Sequence, residues 1–429
     1  MSALTVPTTG PLALAKPLQP INWKQPIALT ALTVLVLGLL TALTTTGAKS
    51  VIAFDTGLTS LGRPTLTVPT RATVVVLGLL ALLVTAYSWW ATATRRKKGA
   101  WVPIVAGTLL VAAFLVWAVG GKGQPLQFTA LLSGALFLSV PLVFGALSGC
   151  VCEHVGVINV SIEGQLLAGA FLAGVIGSAT GNAWLGLICA PLAGALIGAL
   201  LALFAVRYWV DHIIVGVVLN VLVTGLTSYL FSTVMQTNSG TFMRSVSLPK
   251  VSLPLLSQIP VLGPILFRQN VLTYIMFIAV VALQVYLFRS RWGLRMRACG
   301  EHPKAADTVG IKVNRTRIRN TILGGAIAGL GGAYFTVAAG LAFGKEMSAG
   351  RGYIALAAMI LGGWKPKGAI AAALLFGFAD NLQGALGVVG VAIPSQFMLM
   401  APYLVTIFAV AGIVGKVRPP AQEGTAYKE

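Results

Sequence analysis

Uninterrupted apolar runs of about twenty residues dominate this chain, and their length is the strongest constraint on its fold. A helix rises ~1.5 Å per residue, so about 20 apolar residues cross the ~30 Å hydrocarbon core of a bilayer. Such runs lie at 27–46, 72–93, 101–119, 127–148, 157–179, 184–206, 213–234, 270–289, 319–341, 352–364, 368–388 and 396–415. They predict an all-α integral membrane protein with about twelve transmembrane helices. The run at 352–364 is short for a span and reads as a broken or re-entrant helix. Charged residues make up 9% of the 429, against 57% hydrophobic, too few to cover a soluble surface and too apolar for disorder.

The formal net charge of +20 then has to be placed relative to the membrane. With the N-terminus inside, 21 of the 30 Lys and Arg residues fall in inside loops. Reversing the topology would invert that ratio, so the positive-inside rule predicts N-in and C-in. The basic excess thus reports orientation, and no nucleic-acid partner is expected. Nine of the inside cations lie between Arg289 and Arg319, in the one long hydrophilic inside loop. The Pro- and Thr-rich N-terminus is not read as a signal peptide, and the four cysteines lack a secreted disulfide spacing.

Composition shifts near residue 124. Residues 1–123 form an extension of three simple apolar spans with Asp55 as their only acid. Residues 124–418 form a core whose spans are rich in Gly and Ala and carry polar side chains, and 419–429 is an inside tail. Small residues at four-residue spacing, Gly194 with Gly198 and Gly325 with Gly329, predict close helix packing.

The chemistry-bearing motifs argue against an enzyme. No GxxxxGK[ST], HExxH or GxSxG is present. Cys150, Cys152, Glu153 and His154 have no second cluster to complete a tetrahedral site, so no metal and no bound cofactor is expected. A two-aspartate protease would need a second buried aspartate beside Asp380. The informative residues are the acids and amides inside apolar runs, because an ionisable group at membrane depth costs about 3 kcal/mol and usually faces a partner or a water-filled path. Asn159, Ser161, Glu163 and Gln165 form one such stretch, and Asp380, Asn381 and Gln383 the other. Both are candidates for lining or organising a substrate path, with helix capping or bonding between spans as the structural alternative. If the first stretch is helical, Asn159 and Glu163 share a face.

In the inside loop, Glu301-His302-Pro303-Lys304-Ala305-Ala306-Asp307 leads to Gly310-Ile311. Pro303 suits a helix start and Gly310 a helix end, so a short helix at 303–309 with an exposed alanine face is predicted. It reads either as a solvated linker or as a docking element.

The segment from Arg297 to Ile311, followed by Gly324-Gly-Ala-Ile-Ala-Gly-Leu-Gly-Gly-Ala-Tyr334, resembles permease subunits of ABC importers of the ribose/branched-chain amino acid type. Ala349-Gly-Arg-Gly-Tyr353 and Leu361-Gly-Gly-Trp-Lys-Pro-Lys-Gly368 also fit. Gly156-Val-Ile-Asn-Val-Ser-Ile-Glu-Gly164 looks like the nucleoside subgroup, the one linked to basic membrane lipoproteins. The resemblance covers about 124–418 and implies transport of a small polar solute, most simply nucleosides. It also implies partners: a cytoplasmic ATPase that uses the ATP, a second permease subunit in a heterodimer, and an extracytoplasmic substrate-binding lipoprotein. The family's coupling helix maps onto Glu301–Ile311. Residues 1–123 depart from the pattern, and His154 stands where the subgroup often has Arg. Inverted repeats with broken helices meeting at midplane are compatible with the Gly-rich starts of 156–177 and 350–377. Sugars or branched-chain amino acids are the alternative cargo, and a stand-alone secondary transporter the alternative class.

Overall fold

The computed structural model describes residues 23–54, 64–96, 99, 101–390, 400 and 418–428. The described chain is mostly helical, with ten helices long and apolar enough to cross a membrane. The first three are α1 (Lys24–Leu43), α2 (Thr70–Ala93) and α3 (Trp101–Val119). Then come α4 (Phe128–Glu153), α5 (Ile162–Thr180), α6 (Ala183–Ala202), α7 (His212–Leu230) and α8 (Val271–Arg289). Two short helices follow, α9 (Arg291–Glu301) and α10 (Pro303–Thr308), before α11 (Val313–Gly332), α12 (Arg351–Leu361) and α13 (Pro366–Val389). The run expected at 352–364 is α12, too short to span, and the run at 396–415 lies outside the described residues.

Contacts divide the described residues into two units. One draws on Met1–Ser50 and Val68–Gly121, the other on Val51–Thr67 and Lys122–Glu429. In the first, α1 to α3 pack together. The Trp89 indole donates to Thr30 Oγ1 at 2.8 Å, and Ser50 bonds both Thr70 and the Val116 carbonyl at 2.7 Å. Leu35, Leu83 and Ile104 point outward, as helices solvated by lipid tails allow.

In the second unit, α11 is central and packs on α4, α5 and α6, while α13 packs on α4. The small-residue motifs seen in the sequence meet one another here. A Cβ on Gly194 would lie 2.1 Å from the Gly325 carbonyl oxygen, and one on Gly329 would lie 2.6 Å from that of Ala190. Backbones this close leave no room for side chains, and dispersion across the contact replaces the hydrophobic drive that lipid removes.

Two helix starts differ from expectation. The run at 157–179 becomes helical only at Ile162, because Gly156 turns the chain with φ +86° and residues 157–159 stay non-helical. Conversely, α11 starts at Val313, six residues before the apolar run, since Arg315, Arg317 and Arg319 are good helix formers despite their charge. Near the other end of that helix, a wide π turn at Tyr334–Ala338 sets Tyr334 and Phe335.

Candidate functional site

The polar stretch before α5 closes on itself. Asn159 Nδ2 donates to Ser148 Oγ and Gln165 Oε1, both at 3.0 Å. Ser161 Oγ donates to Asn159 Oδ1 at 2.8 Å, and Gln165 Nε2 donates to Ser161 Oγ at 2.9 Å. All four residues are fully buried. Each amide finds partners inside the knot, so the cluster locks the α4–α5 turn. Asn159 and Glu163 do not share a helix face, because Asn159 precedes the first turn of α5.

Glu163 is aimed elsewhere. Its Oε1 accepts the Gly350 N–H at 2.8 Å and its Oε2 accepts the Gly352 N–H at 2.6 Å. It therefore caps α12 from a different helix, filling orphan donors at an N-terminus whose dipole favours negative charge. Since Glu163 is itself in the first turn of α5, two helix N-termini meet at one carboxylate. Gly352 permits the approach, because a Cβ there would lie 2.5 Å from the Glu163 backbone. Asn220 of α7 braces the same corner. Its Oδ1 accepts the Gly164 N–H at 2.8 Å, and its Nδ2 donates to the Val160 carbonyl at 3.0 Å and to Tyr353 Oη at 3.1 Å.

Asp380 reaches this helix end by another route. Its Oδ2 pairs with Arg351 Nη2 at 3.3 Å, with the two side chains 34% and 26% exposed. The Arg351 guanidinium also lies 5.6 Å from the Phe335 ring centroid, and Tyr334 stacks between Phe335 and Phe137. The two acids singled out in the sequence thus converge on residues 350–352. Asp380 lies well inside the apolar α13 and Arg351 at the start of α12, and both side chains are partly exposed. Asn381 faces α4 instead, donating to the Leu131 carbonyl at 2.7 Å, and Gln383 is half-buried.

Three contributors are not picked out by sequence reasoning. Arg351 reads as an outside loop cation, although its place between two glycines at the start of a short apolar run is a signal. Asn220 gives only the signal of an amide in an apolar run. Glu153 reads as no more than a candidate metal ligand, yet it accepts the Trp364 indole N–H just beyond the C-terminus of α12.

The loop between α8 and α11 forms a second feature. Pro303 occupies the first turn of α10, and Gly310 follows it at φ +81°. Ala306 is buried against Cys299 and Val313, while Ala305, Lys304, Asp307, Glu301 and His302 are exposed and Ile311 is half-buried. The expected alanine face is therefore split, with Ala305 outward and Ala306 inward, because the helix packs on α9 and α11. Burial pushes the Cys299 thiol above its ordinary value, so this thiol is unreactive at neutral pH. Beside the loop is a cavity of about 780 Å³ with Arg291, Arg295, Lys312, Arg315 and Arg319 on its walls.

Comparison with known proteins identifies the family. The family described as branched-chain amino acid transport system, permease component, matches residues 131–411. The nucleoside ABC transporter permease protein NupC of Lactococcus lactis is 39% identical over 308 residues, covering 69% of this chain and 96% of that protein. The guanosine ABC transporter permease protein NupQ of Bacillus subtilis is 37% identical, with 69% of this chain and 96% of that protein covered. A putative glucose ABC transporter permease protein of Haloferax volcanii, TsgC13, is 32% identical over 59% of this chain and 76% of its own length. No solved structure matches. This likeness, with ten membrane-length helices among the described residues, makes the chain a member of the branched-chain amino acid transport system permease family, a multi-pass permease subunit of an ABC importer in the plasma membrane.

Proposed function

We propose that this permease carries nucleosides, and that the cargo passes beside the Arg351–Asp380 pair. The observation that carries the reading is that pair itself: a partly exposed ion pair joining the start of α12 to the middle of the apolar α13, flanked by the Phe335 ring. Paired charges leave little net field to attract or repel a charged solute. They still offer donors and acceptors to hydroxyls and ring nitrogens, and an aromatic face suits a planar base. Likeness to nucleoside and guanosine permeases supports the same class. Asn159, Ser161 and Gln165 act as the brace of this site, Glu163 as the clamp on α12, and Asn381 and Gln383 as neighbours on the Asp380 helix.

The chain sits N-in and C-in, so α10 faces the cytoplasm. There a separate ATPase binds and hydrolyses ATP and docks on Glu301–Ile311, using exposed Ala305 and Val309 with the basic cavity beside them. A second permease subunit completes the path, and an extracytoplasmic lipoprotein delivers the solute. Meeting of the α5 and α12 starts at Glu163 supports broken helices arranged as inverted repeats.

Uptake of labelled uridine and guanosine by cells with and without the cognate ATPase tests the reading. Concentrative uptake requiring the ATPase, and competed by nucleosides but not by glucose or leucine, is expected. Uptake that persists without the ATPase would indicate a secondary transporter. Competition by glucose or leucine alone would reassign the cargo.

A further inference from the structure

The last described segment, residues 418–428, is laid against three connections at the α10 end of the second unit. The Gln422 N–H donates to the Gly300 carbonyl at 2.9 Å, and the Gly424 N–H to the Gly156 carbonyl at 3.1 Å. The Ala421 N–H meets Glu301 Oε2 at 3.3 Å, and the Tyr427 hydroxyl donates to Asp307 Oδ2 at 3.0 Å. Lys428 lies 4.9 Å from the ring centroid of Trp209, in the turn between α6 and α7. Two glycines with positive φ make the fit possible. A Cβ on Gly156 would lie 3.1 Å from the Gln422 oxygen, and one on Gly424 would lie 2.8 Å from Ile158 Cδ1.

Arg317 is the anchor beneath the segment. It is the largest fully buried side chain among the described residues, and its Nη1 donates to the Thr425 carbonyl at 2.7 Å. Its Nε and Nη2 have no hydrogen-bond partner. A guanidinium left so under-bonded is costly to bury, and lifting the tail would remove its one acceptor.

The tail also grips the transport site. The Glu423 carboxyl is a close neighbour of that of Glu153, and Glu153 accepts the Trp364 N–H just beyond the C-terminus of α12. Helix α12 is therefore held at both ends by carboxyl groups, Glu163 at its start and Glu153 at its finish. Only the second is tied to the docking loop, through 421–427.

We propose that residues 420–428 are a coupling strap, in which Arg317 and Glu423 are positioning residues that tie the docking loop to Glu153 and Trp364 and so pass loop movement to the α12 helix. This rests on the reading of α10 as the ATPase contact. A strap moves with the loop. A lid would have to leave it in each cycle, and the number of bonds to Gly300, Glu301 and Asp307 favours the strap.

The test uses the whole complex in proteoliposomes, with ATP hydrolysis and nucleoside uptake measured together. Removal of 418–429, and separately Trp364→Phe, which keeps the ring but deletes the N–H, are expected to lower uptake per ATP at least tenfold while ATP hydrolysis stays near wild type. Glu423→Gln, which keeps a hydrogen-bonding group, is expected to retain most of the ratio. Equal loss of hydrolysis and uptake, or an unchanged ratio in both variants, would overturn the proposal. A second arm joins Ala421→Cys to Glu301→Cys with a short cleavable thiol crosslinker, and uptake after crosslinking is compared with that of the same double variant before it. Native Cys150, Cys152 and Cys299 are buried, and the half-exposed Cys189 is replaced by Ser in this background, which favours reaction at the new pair. Uptake that survives crosslinking supports a strap. Uptake lost on crosslinking and restored on cleavage means the tail must part from the loop, and refutes it. A wild-type complex that hydrolyses ATP without nucleoside uptake would refute the cargo reading instead, a result visible before any variant is compared.

Discussion

Replacing Glu163 by Gln should loosen α12 without changing the size of the side chain. Glu163 spans the Gly350 and Gly352 N–H groups with its two oxygens, at 2.8 and 2.6 Å. Hydrogen bonds to a charged group contribute about 1.5–3 kcal/mol each, and a buried N–H left unpaired costs about 1–3 kcal/mol. Gln keeps one acceptor oxygen but turns an NH₂ toward the other donor. One bond is lost and one N–H is orphaned, so roughly 3 kcal/mol is removed from the native position of α12. By the rule of ~1.4 kcal/mol per tenfold, that is about a hundredfold in population. Arg351 lies between the two released glycines, so its pairing with Asp380 should loosen as well. The purified variant should melt several degrees lower and its nucleoside uptake should fall at least tenfold. Glu163→Asp keeps the charge but is one methylene too short to bridge both donors, and should fall between Gln and wild type. Glu163→Gln combined with Asp380→Asn should be less than additive, since both act through the same helix start. Native melting together with native uptake would refute the cap. Native melting with uptake abolished would also refute it, because Glu163 would then act on the cargo itself.

Five further substitutions probe the packing, the site and the docking face, and a pH profile probes the tail. Gly194→Val should destabilise by about 1–3 kcal/mol or abolish folding, as a Cβ 2.1 Å from a backbone oxygen forces α6 and α11 apart. Gly225→Ala, with nothing within 4 Å, should be neutral or stabilising in the same detergent melt. Asp380→Asn should change stability by less than about 1 kcal/mol, because the pair is partly solvent-screened, yet reduce uptake severalfold by leaving Arg351 uncompensated beside the path. Ala305→Arg should block ATPase binding in a pull-down with the melt unchanged, whereas Ala306→Arg should also lower the melt because that side chain packs on Cys299 and Val313. Burial pushes the Glu423 carboxyl above its ordinary value, with Glu153 as its close neighbour. The docked tail therefore holds more protons than a free one. The stability this gives is full below the free carboxylate value near ~4.3 and is lost as pH rises through the raised one. Limited proteolysis of the tail should thus accelerate with pH in the wild type and show a flatter profile in Glu423→Gln.

Span length was legible in the sequence because bilayer thickness sets it, and ten of the predicted runs coincide with membrane-length helices. Where charge and helix disagreed, hydropathy misplaced the ends. The first turns of α11 carry Arg315, Arg317 and Arg319, so an apolar window starts too late. The turn at Gly156 was hidden for the opposite reason. Residues 157–162 are apolar enough to extend a span, and only the positive φ of Gly156, with partners for Asn159 on both sides of the turn, breaks the helix.

The site was legible residue by residue but not as a constellation. Glu163 and Asp380 stood out because acids in apolar runs are costly. Neither sequence neighbourhood records that both would meet the start of α12, since that contact spans 187 residues from Glu163 and 29 from Asp380. The same distance problem hid the grip at the other end. Glu153 stood in a cysteine cluster, Trp364 in the motif Leu361–Gly368, and Glu423 in the tail at 419–429. Joined, they make α12 a short lever held by carboxyl groups at both ends. A helix too short to span the bilayer suits a lever, because with 11 residues it can tilt as a unit. In the proposed strap, displacement at Trp364 passes to Arg351 through α12, whose 11 residues span about 16 Å at ~1.5 Å per residue.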